Sequence, residues 1–200
     1  MRKVAAAIIA GGPARRLGGA VKPLLEIRGQ TIADRQLAVL RPLFERVFAV
    51  ANDPTPWAVR DVEVVGDRVV GAGPLAGVAA ALAAAGGAEA VVCVAGDLPF
   101  LVPALLVAVR DRAPDAPALA ARPGGRAEPL CARYSAALGA EVEARLADER
   151  LALHELLGQS GAVWLTDADL GALDPGRLSF LNVNTPDDLR RAEEIARWLP

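Results

Sequence analysis

Few residues of this chain are of the types that act as nucleophiles or soft metal ligands. Among 200 residues there are one histidine and two cysteines, and aromatic residues make up 4%. His154 lies in an amphipathic helical stretch, and no Ser/His/Asp or Cys/His arrangement can be built around it. Cys93 and Cys131 stand in separate apolar segments without a neighbouring thiol or histidine. This spacing disfavours a zinc site and favours two reduced thiols in the core.

A strong net charge and a long apolar run are also lacking. The formal net charge is -2 at pH 7, and no basic block or aromatic stripe is present, so nucleic acid is not the expected partner. The chain is 53% apolar, but no window approaches the length of a transmembrane span. The first apolar run ends at Gly11-Gly12, which is typical of a strand rather than a cleaved signal. We therefore expect a cytoplasmic protein with no membrane partner.

Strand-like and helix-like runs alternate along the chain. We predict strands at Val4–Ala10, Val47–Ala51, Val62–Val65, Ala90–Ala95, Ala118–Ala121, Pro129–Tyr134, Val163–Thr166 and Leu178–Val183. We predict helices at Ile32–Leu40, Leu75–Ala85, Pro103–Ala113, Ala136–Leu146, Leu151–Gly158 and Asp187–Leu199. The alternation predicts a mostly parallel, Rossmann-like sheet covered on both faces, a three-layer α/β/α fold. No repeat, linker or low-complexity tail is evident, so residues 1–200 are expected to form a single domain.

The segment 8–25, IIAGGPARRLGGAVKPLL, is the clearest functional signal. A buried strand runs into a glycine-rich loop, and the loop carries the cations Arg15, Arg16 and Lys22. Glycines let the backbone approach a ligand and direct its N–H groups at it, and the cations neutralise oxyanions. The simplest ligand is a nucleotide polyphosphate. The alternative is a glycine-rich surface loop with solvated arginines.

This loop matches neither of the common phosphate-binding motifs. A Walker A loop needs G-x-x-x-x-G-K-[ST], but Lys22 follows Val21 and precedes Pro23. The nearest approach to G-x-G-x-x-G is the segment 71–77, which has the wrong spacing. ATPase and dehydrogenase functions therefore lose their main support.

Polar residues follow several of the predicted strands, where ligands bind in parallel α/β sheets. Asp97 follows the fully apolar strand Ala90–Ala95, and Asn182 and Asn184 lie at the end of the last predicted strand. Mg²⁺ prefers one or two carboxylates plus substrate phosphates, so Asp97 is a candidate metal ligand and Asn184 a second oxygen donor. The alternative is that Asp97 caps a turn and that the asparagines brace the turn before Thr185.

Two further strand ends are candidates for the nucleoside. Asn52 follows the second strand, and Asp67 follows the third. The carboxylate of Asp67 can accept hydrogen bonds from N1 and the 2-amino group of guanine, a donor pair that the other common bases lack. A loop acid without a ligand explains Asp67 equally well. The turn containing Gly73 and Gly77 can approach a base or ribose, or it is simply a tight connection.

The order of these motifs resembles the molybdenum cofactor guanylyltransferases, a family within the nucleotidyltransferase superfamily. That family has L-A-G-G-x-x-x-R-M-G-G-x-D-K near its start, and this chain has IAGGPARRLGGAVK at residues 9–22. It also has an asparagine after the second strand and an acid before G-P-L-A-G, like Asn52 and Asp67 before residues 73–77. D-x-P-[FY] and N-[VI]-N-T-P correspond to residues 97–100 and 182–186. The match runs almost from end to end.

The resemblance implies a sheet of the nucleotide-diphospho-sugar transferase type and GMP transfer from GTP to molybdopterin. It implies that GTP is bound by the first motif, by Asn52 and Asp67 and by the Gly73–Gly77 segment. The residues implied in the first motif are Ile9, Ala10, Gly11, Gly12, Arg16 and Lys22. Asp97, with Asn184, is implied to hold Mg²⁺, and Lys22, Asp97 and Arg16 to be catalytic. The partners implied are GTP, molybdopterin and, transiently, proteins of cofactor synthesis or acceptor proteins.

The chain departs from the family pattern at one position of the first motif. The residue before the loop lysine is usually Asp in the family, and here it is Val21. Three hypotheses therefore stand: guanylyl transfer, a related reaction such as cytidylyl transfer to the same cofactor, and an inactive nucleotide-binding regulator. Asp67 favours guanine, while Lys22 and Asp97 favour an enzyme. For the pterin we expect an anion contact in the region 122–133, with Arg126 and Arg133 as candidates.

Overall fold

The computed structural model describes residues 2–10, 21–67, 69 and 71–199. The strands there are β1 Val4–Ile9, β2 Glu26–Ile27, β3 Gln30–Thr31, β4 Val47–Val50, β5 Glu63–Val65, β6 Ala90–Ala95, β7 Ala118–Ala121, β8 Glu128–Ser135 and β9 Val163–Leu165. The α-helices are α1 Ile32–Leu40, α2 Gly73–Ala83, α3 Pro103–Asp111, α4 Gly139–Ala147, α5 Leu153–Gln159, α6 Asp167–Leu173 and α7 Pro186–Ile195. None of these helices is long and apolar enough to cross a membrane.

The main sheet is seven-stranded, in the order β5-β4-β1-β6-β8-β7-β9. β5, β4, β1 and β6 pair in parallel, and β9 pairs in parallel with β7. β8 is antiparallel to both of its neighbours, β6 and β7. The predicted mostly parallel sheet is therefore confirmed. The carboxyl ends of β1, β4, β5 and β6 all lie at one edge of it.

Helices cover both faces of the sheet, which confirms the predicted three layers. β1 and β6 are buried along nearly their whole length, as expected for central strands with helices on both sides. One core cluster contains side chains of α2, α4 and α5, among them Leu75, Val142 and Leu156. A second cluster, on the other face, contains side chains of α1 and α3, among them Leu37 and Leu105.

A third, smaller cluster lies apart from the two faces of the sheet. It joins Ile27 of the short β2–β3 hairpin, Ile32 at the start of α1, Phe100 after β6, Val183 before α7, and Ala192 of α7. The cluster ties the segment after the glycine loop to the segment before the last helix. These two segments carry Lys22 and Asn184.

The two helix starts with the clearest sequence signals are confirmed. Thr31 precedes α1, and its hydroxyl accepts a hydrogen bond from the backbone N–H of Asp34 at 3.1 Å. Thr185 precedes α7 and forms a reciprocal capping box with Asp188. Both capping residues satisfy N–H groups that a helix leaves free in its first turn.

The predicted strand Leu178–Val183 is wrong. Residues Leu178–Phe180 form a single 3-10 turn, and no strand follows before α7. The carboxylate of Asp174 fixes this turn, because its two oxygens accept from the N–H groups of Leu178 and Ser179 at 2.9 Å each. The apolar side chain of Val183 enters the third cluster instead of a sheet face.

The structure also contains elements that the sequence pattern did not predict. The β2–β3 hairpin is only two residues long in each strand and turns through Arg28 and Gly29, both with positive φ. Helix α6 follows β9 directly, and its N-cap Thr166 forms a capping box with Asp169. These short elements carry too few residues for a hydrophobic period to reveal them.

Candidate functional site

Three strand ends meet closely at the carboxyl edge of the sheet. The N–H of Ala10 donates to Val50 O, and the N–H of Gly96 donates to Ile9 O, both at 2.9 Å. A Cβ atom added to Gly96 would lie 3.3 Å from the Cα of Ala10, tighter than ordinary van der Waals contact. Glycine at position 96, directly before Asp97, therefore lets the end of β6 approach Ala10 at the end of β1.

Asp97, Lys22 and Asn184 converge at this edge. The ammonium of Lys22 lies 3.0 Å from Oδ2 of Asp97 and also donates a hydrogen bond to Oδ1 of Asn184. The Lys22 side chain is 27% exposed and that of Asp97 is 16% exposed, so the group lies at the surface but is partly desolvated. The structure thus brings together three of the predicted site residues from distant parts of the chain.

Each of the three side chains is carried by a fixed backbone. Lys22 begins a 3-10 turn with Pro23 at its second position, and Leu25 N donates to Lys22 O at 3.0 Å. The carbonyl of Asp97 accepts from the N–H of Val183 at 2.9 Å, and Val183 is fully buried. This bond connects the turn after β6 directly to the segment that carries Asn184.

Asn184 is held from the other side by the start of α7. Its backbone N–H donates to Oδ2 of Asp188 at 3.0 Å, and the backbone and hydroxyl of Thr185 donate to the same oxygen. These bonds, with that from Asn184 first, lower the pKa of the Asp188 carboxyl. Asp188 therefore stays ionised and acts as a structural acceptor, not as a group that faces Lys22.

The donor set at this site fits a magnesium ion. Asp97 offers a carboxylate oxygen and Asn184 an amide oxygen, and both already face a single positive charge, the ammonium of Lys22. Mg²⁺ is usually held by one or two protein carboxylates together with substrate phosphates. Within the described residues no group of three or more His, Cys, Asp or Glu side chains could hold a metal. Asp97 and Asn184 would leave the other coordination positions of such an ion to phosphate oxygens and water.

Asn52 and Asp67 also lie together, at the ends of the neighbouring strands β4 and β5. Oδ1 of Asn52 accepts from the backbone N–H of Asp67 at 2.9 Å, and Oδ1 of Asp67 accepts from the N–H of Val69 at 3.0 Å. Asn52 thus fixes the backbone that presents Asp67. The roles predicted for these residues in holding guanosine stay predictions.

The Gly73–Gly77 segment forms the first turn of α2, and its two glycines differ in their surroundings. Gly73 has φ +67°, and a Cβ added to it would meet no atom within 4 Å, so this end of the helix is open. The N-cap Ala72 provides no side-chain hydrogen bond to the helix start. Gly77 is buried instead, and a Cβ there would lie 2.6 Å from Cγ2 of Ile9. Gly77 and Ile9 therefore have packing roles, whereas Gly73 is accessible to a ligand.

Three of the predicted phosphate contacts involve residues that the structure does not describe. Gly11, Gly12 and Arg16 lie outside the described residues.

The suggestion that Arg133 contacts an anion is wrong. Arg133 is 2% exposed, and its guanidinium donates to the carbonyls of Arg110, Arg112 and Ala113. The side chain therefore stabilises the backbone of the fold and does not face an anion.

Sequence reasoning missed one buried polar residue beside the site, Gln36. Residues Ile32, Ala33, Leu37 and Leu40 form the buried stripe of α1, and Gln36 occupies a position in that same stripe. Its amide group reaches the turn that carries Asp97. A polar residue at an apolar position of a helix was the available signal.

Known proteins are similar to this chain both in sequence and in structure. The model of the MobA-like NTP transferase domain family matches residues 6–163. The molybdenum cofactor guanylyltransferase of Cereibacter sphaeroides is 35% identical over 193 residues, which cover 95% of this chain and 95% of that protein. The protein of the same name from Nitrobacter hamburgensis is 35% identical over 204 residues, covering 94% of this chain and 92% of that one.

Solved structures extend the agreement to three dimensions. The molybdopterin-guanine dinucleotide biosynthesis protein A of Archaeoglobus fulgidus superimposes with a TM-score of 0.84 at 28% identity, covering 97% of this chain and 99% of that one. The 2-C-methyl-D-erythritol 4-phosphate cytidylyltransferase of Thermus thermophilus superimposes with a TM-score of 0.69 at 22% identity, covering 98% and 99%. The second likeness is one of fold.

Proposed function

The chain belongs to the MobA-like NTP transferase family, and from this we propose that it transfers GMP from GTP to molybdopterin and releases pyrophosphate. The observation that carries the proposal is the convergence of Lys22, Asp97 and Asn184 at the carboxyl edge of the sheet. This group combines a mobile cation with two oxygen donors suited to a metal. Relatives named molybdenum cofactor guanylyltransferase match over almost the whole chain, which supports the choice of nucleotide and acceptor.

The reaction needs no covalent intermediate on the protein. An oxygen of the terminal phosphate of molybdopterin attacks the α-phosphorus of GTP and forms the new P–O bond. The bond from the α-phosphorus to the bridging oxygen breaks, and that oxygen leaves with pyrophosphate. The protein has to position two phosphorylated substrates and offset the charge that develops on them. One ammonium and one metal site are suited to this task, and no nucleophilic side chain is required.

Mg²⁺ bound by Asp97, Asn184 and the nucleotide phosphates would supply positive charge against the α-phosphate and the leaving group. Lys22 then has a separate role. In the free protein its ammonium neutralises Asp97, and with nucleotide present we expect it to turn towards the phosphates.

The remaining parts of the nucleotide site follow the same edge of the sheet. We assign the phosphates to Gly11, Gly12, Arg16 and Lys22, beside the backbone of Ile9 and Ala10. The open start of α2 at Gly73 adds N–H groups and the positive end of the helix dipole. We assign the guanine to the carboxylate of Asp67, with Asn52 holding its backbone in place.

The partners in this proposal are GTP and molybdopterin. We assign the reaction to the cytoplasm, where GTP is available, with transient contacts to proteins that make or accept the cofactor. Neither nucleic acid nor a membrane takes part, which agrees with a formal net charge of -2.

The test is turnover with molybdopterin, Mg²⁺ and each of the four common nucleoside triphosphates in separate reactions. We expect pyrophosphate release and a guanylylated pterin, identified by its mass, with GTP and not with CTP, ATP or UTP. Equal turnover with CTP would point to a related cytidylyltransferase. Binding of GTP without pyrophosphate release for any pterin acceptor would point to an inactive nucleotide-binding regulator, with Val21 as its cause.

A further inference from the structure

Gln36 joins helix α1 to the turn that carries Asp97. Its side chain is buried, with the residue 1% exposed. The Nε2 atom donates to the carbonyl of Ala95 at 2.7 Å and to the carbonyl of Leu98 at 3.0 Å. These carbonyls stand on either side of Gly96-Asp97, and Leu98 N also donates to Ala95 O at 3.3 Å. One amide group therefore clamps both ends of a turn whose tip bears the acid of the site.

The orientation of this amide follows from its partners. Both contacts are backbone carbonyls, which only accept hydrogen bonds, so the NH₂ end of Gln36 must face them. The two N–H donors of the amide match the two acceptors. The side chain thus uses its whole donor capacity on the turn around Asp97.

Core packing alone does not explain glutamine at this position. The other end of the amide, Oε1, is buried and has no hydrogen-bond partner among the residues that the structure describes. A buried polar atom without a partner is unfavourable. The neighbouring positions of the buried stripe are apolar, and an apolar side chain would avoid this cost.

We propose that Gln36 is a positioning residue that holds the Ala95–Leu98 turn so that the carboxylate of Asp97 faces Lys22 and Asn184. Two other tethers act on the same turn, the bond from Gly96 N to Ile9 O and the bond from Val183 N to Asp97 O. Gln36 completes them from the helix side. A carboxylate fixed before substrate arrives needs little reorganisation when charge develops, and partners of metal-binding carboxylates tune metal affinity. The kinetic part of this inference rests on the proposed function, whereas its structural part does not.

The first test is Gln36→Met, which keeps the length and volume of the side chain but removes both donors. The matched control is Leu40→Ala, which removes buried apolar atoms from the same helix but none of the hydrogen bonds to the turn. For each variant we would measure hydrogen exchange of the Val183 amide in the ligand-free protein. Mn²⁺ affinity in the presence of a non-hydrolysable GTP analogue would be measured by electron paramagnetic resonance.

We expect Gln36→Met to speed exchange at Val183 and to weaken Mn²⁺ binding by about 10–100-fold, the range for loss of a partner that orients a metal ligand. In turnover, kcat should fall while the KM for GTP stays nearly unchanged, because the phosphates and base keep their contacts. Leu40→Ala should lower the melting temperature without moving any of these readouts. If the two variants behave alike, Gln36 has only a structural role and the proposal is overturned.

A second variant keeps the test decisive if Gln36→Met fails to fold. Gln36→Glu keeps every heavy-atom position but can donate at most one hydrogen bond, so exchange at Val183 and Mn²⁺ affinity should change in the same direction. Wild-type Val183 exchange and Mn²⁺ affinity in this variant would contradict the proposal. Failure of the proposed function would appear differently, as a wild-type protein that does not turn over GTP while the exchange difference at Val183 persists.

Discussion

The ammonium of Lys22 lies 3.0 Å from the carboxylate of Asp97, although the two residues are 75 positions apart in the chain. Asn184 is a second acceptor for the same ammonium. Because Lys22 and a metal ion would share the carboxylate of Asp97, we expect the two cations to compete for it.

Lys22→Ala should lower both triphosphate affinity and turnover, since the ammonium contacts phosphate before and during transfer. It should also raise the affinity of the ligand-free protein for Mn²⁺, because Asp97 and Asn184 lose their competing cation. The free energy of unfolding should stay within about 0.5 kcal/mol, as for a surface substitution. Calorimetric titration with nucleotide and with Mn²⁺ separately checks both affinities.

The control for Lys22 is Lys3→Ala, an exposed lysine that precedes β1 at the opposite edge of the sheet. It removes the same charge from the protein and should change neither affinity. Unchanged turnover in Lys22→Ala would remove this residue from the site.

Asp67→Ala should reduce the preference for GTP over CTP more than it weakens triphosphate binding. The carboxylate is the group proposed to accept two hydrogen bonds from guanine, whereas the phosphates bind elsewhere. The comparison is the thermal shift produced by each triphosphate with Mg²⁺ in the wild type and the variant. A preference that survives intact would place base recognition outside Asp67.

Gly77→Ala should destabilise the fold by about 1–3 kcal/mol through overpacking. The new Cβ would lie 2.6 Å from Cγ2 of Ile9, and this β-branched side chain on the central strand β1 has little freedom to move. Gly158→Ala in α5 is the control, since no atom lies within 4 Å of its added Cβ. That change should stabilise the helix by about 0.5–1 kcal/mol. Urea denaturation of both variants distinguishes a packing role for Gly77 from a purely ligand-binding one.

Asp188→Asn should lower stability at neutral pH and have little effect in acid. Hydrogen bonds from Asn184 and Thr185 lower the pKa of Asp188 in the folded state. Its contribution is therefore complete above the unfolded pKa of about 3.9 and is lost as pH falls through the lower folded value. The charge at the start of α7 contributes about 0.3–1 kcal/mol.

Denaturation curves of wild type and Asp188→Asn from pH 7 down to strong acid check this dependence. Asp187→Asn removes a charge from the same helical turn but none of the bonds to Asn184 and Thr185, so it should destabilise less. A difference between wild type and Asp188→Asn that is constant with pH would exclude the carboxylate as the source of the effect.

Much of the fold could be predicted because its central elements have strong sequence patterns. The apolar runs of β1 and β6 predict buried strands. The capping residues Thr31 and Thr185 predict the starts of α1 and α7. The antiparallel direction of β8 could not be predicted from the sequence. Hydrophobic periodicity indicates on which face of the sheet a side chain lies, but not in which direction the strand runs. The strand predicted at Leu178–Val183 failed because Asp174 organises a turn there and Val183 packs into a separate cluster.

The structure brings Lys22, Asp97 and Asn184 together, whereas the functions predicted for them stay predictions. Asp97 follows a central strand, where the strand-end rule applies, and Lys22 ends the glycine loop. Asn184 lies beside Lys22 because its neighbour Val183 packs in the third cluster and not because a strand ends there, so its position was predicted from a wrong premise and its role as a metal ligand stays a prediction. Gln36 was missed because its role depends on carbonyls about 60 residues away, which no local pattern reveals.

GMP transfer at this site is tested most directly by following the α-phosphate of labelled GTP into product. Asp97→Asn is the comparison. Asn keeps the size of the side chain but removes the charge that attracts Mg²⁺, so the variant should fold normally and still bind GTP. We expect the wild type to move the label from GTP to molybdopterin and to release unlabelled pyrophosphate, and Asp97→Asn to leave almost all label in GTP. Equal label transfer by Asp97→Asn, or no transfer by the wild type with any pterin acceptor, would contradict the proposed function.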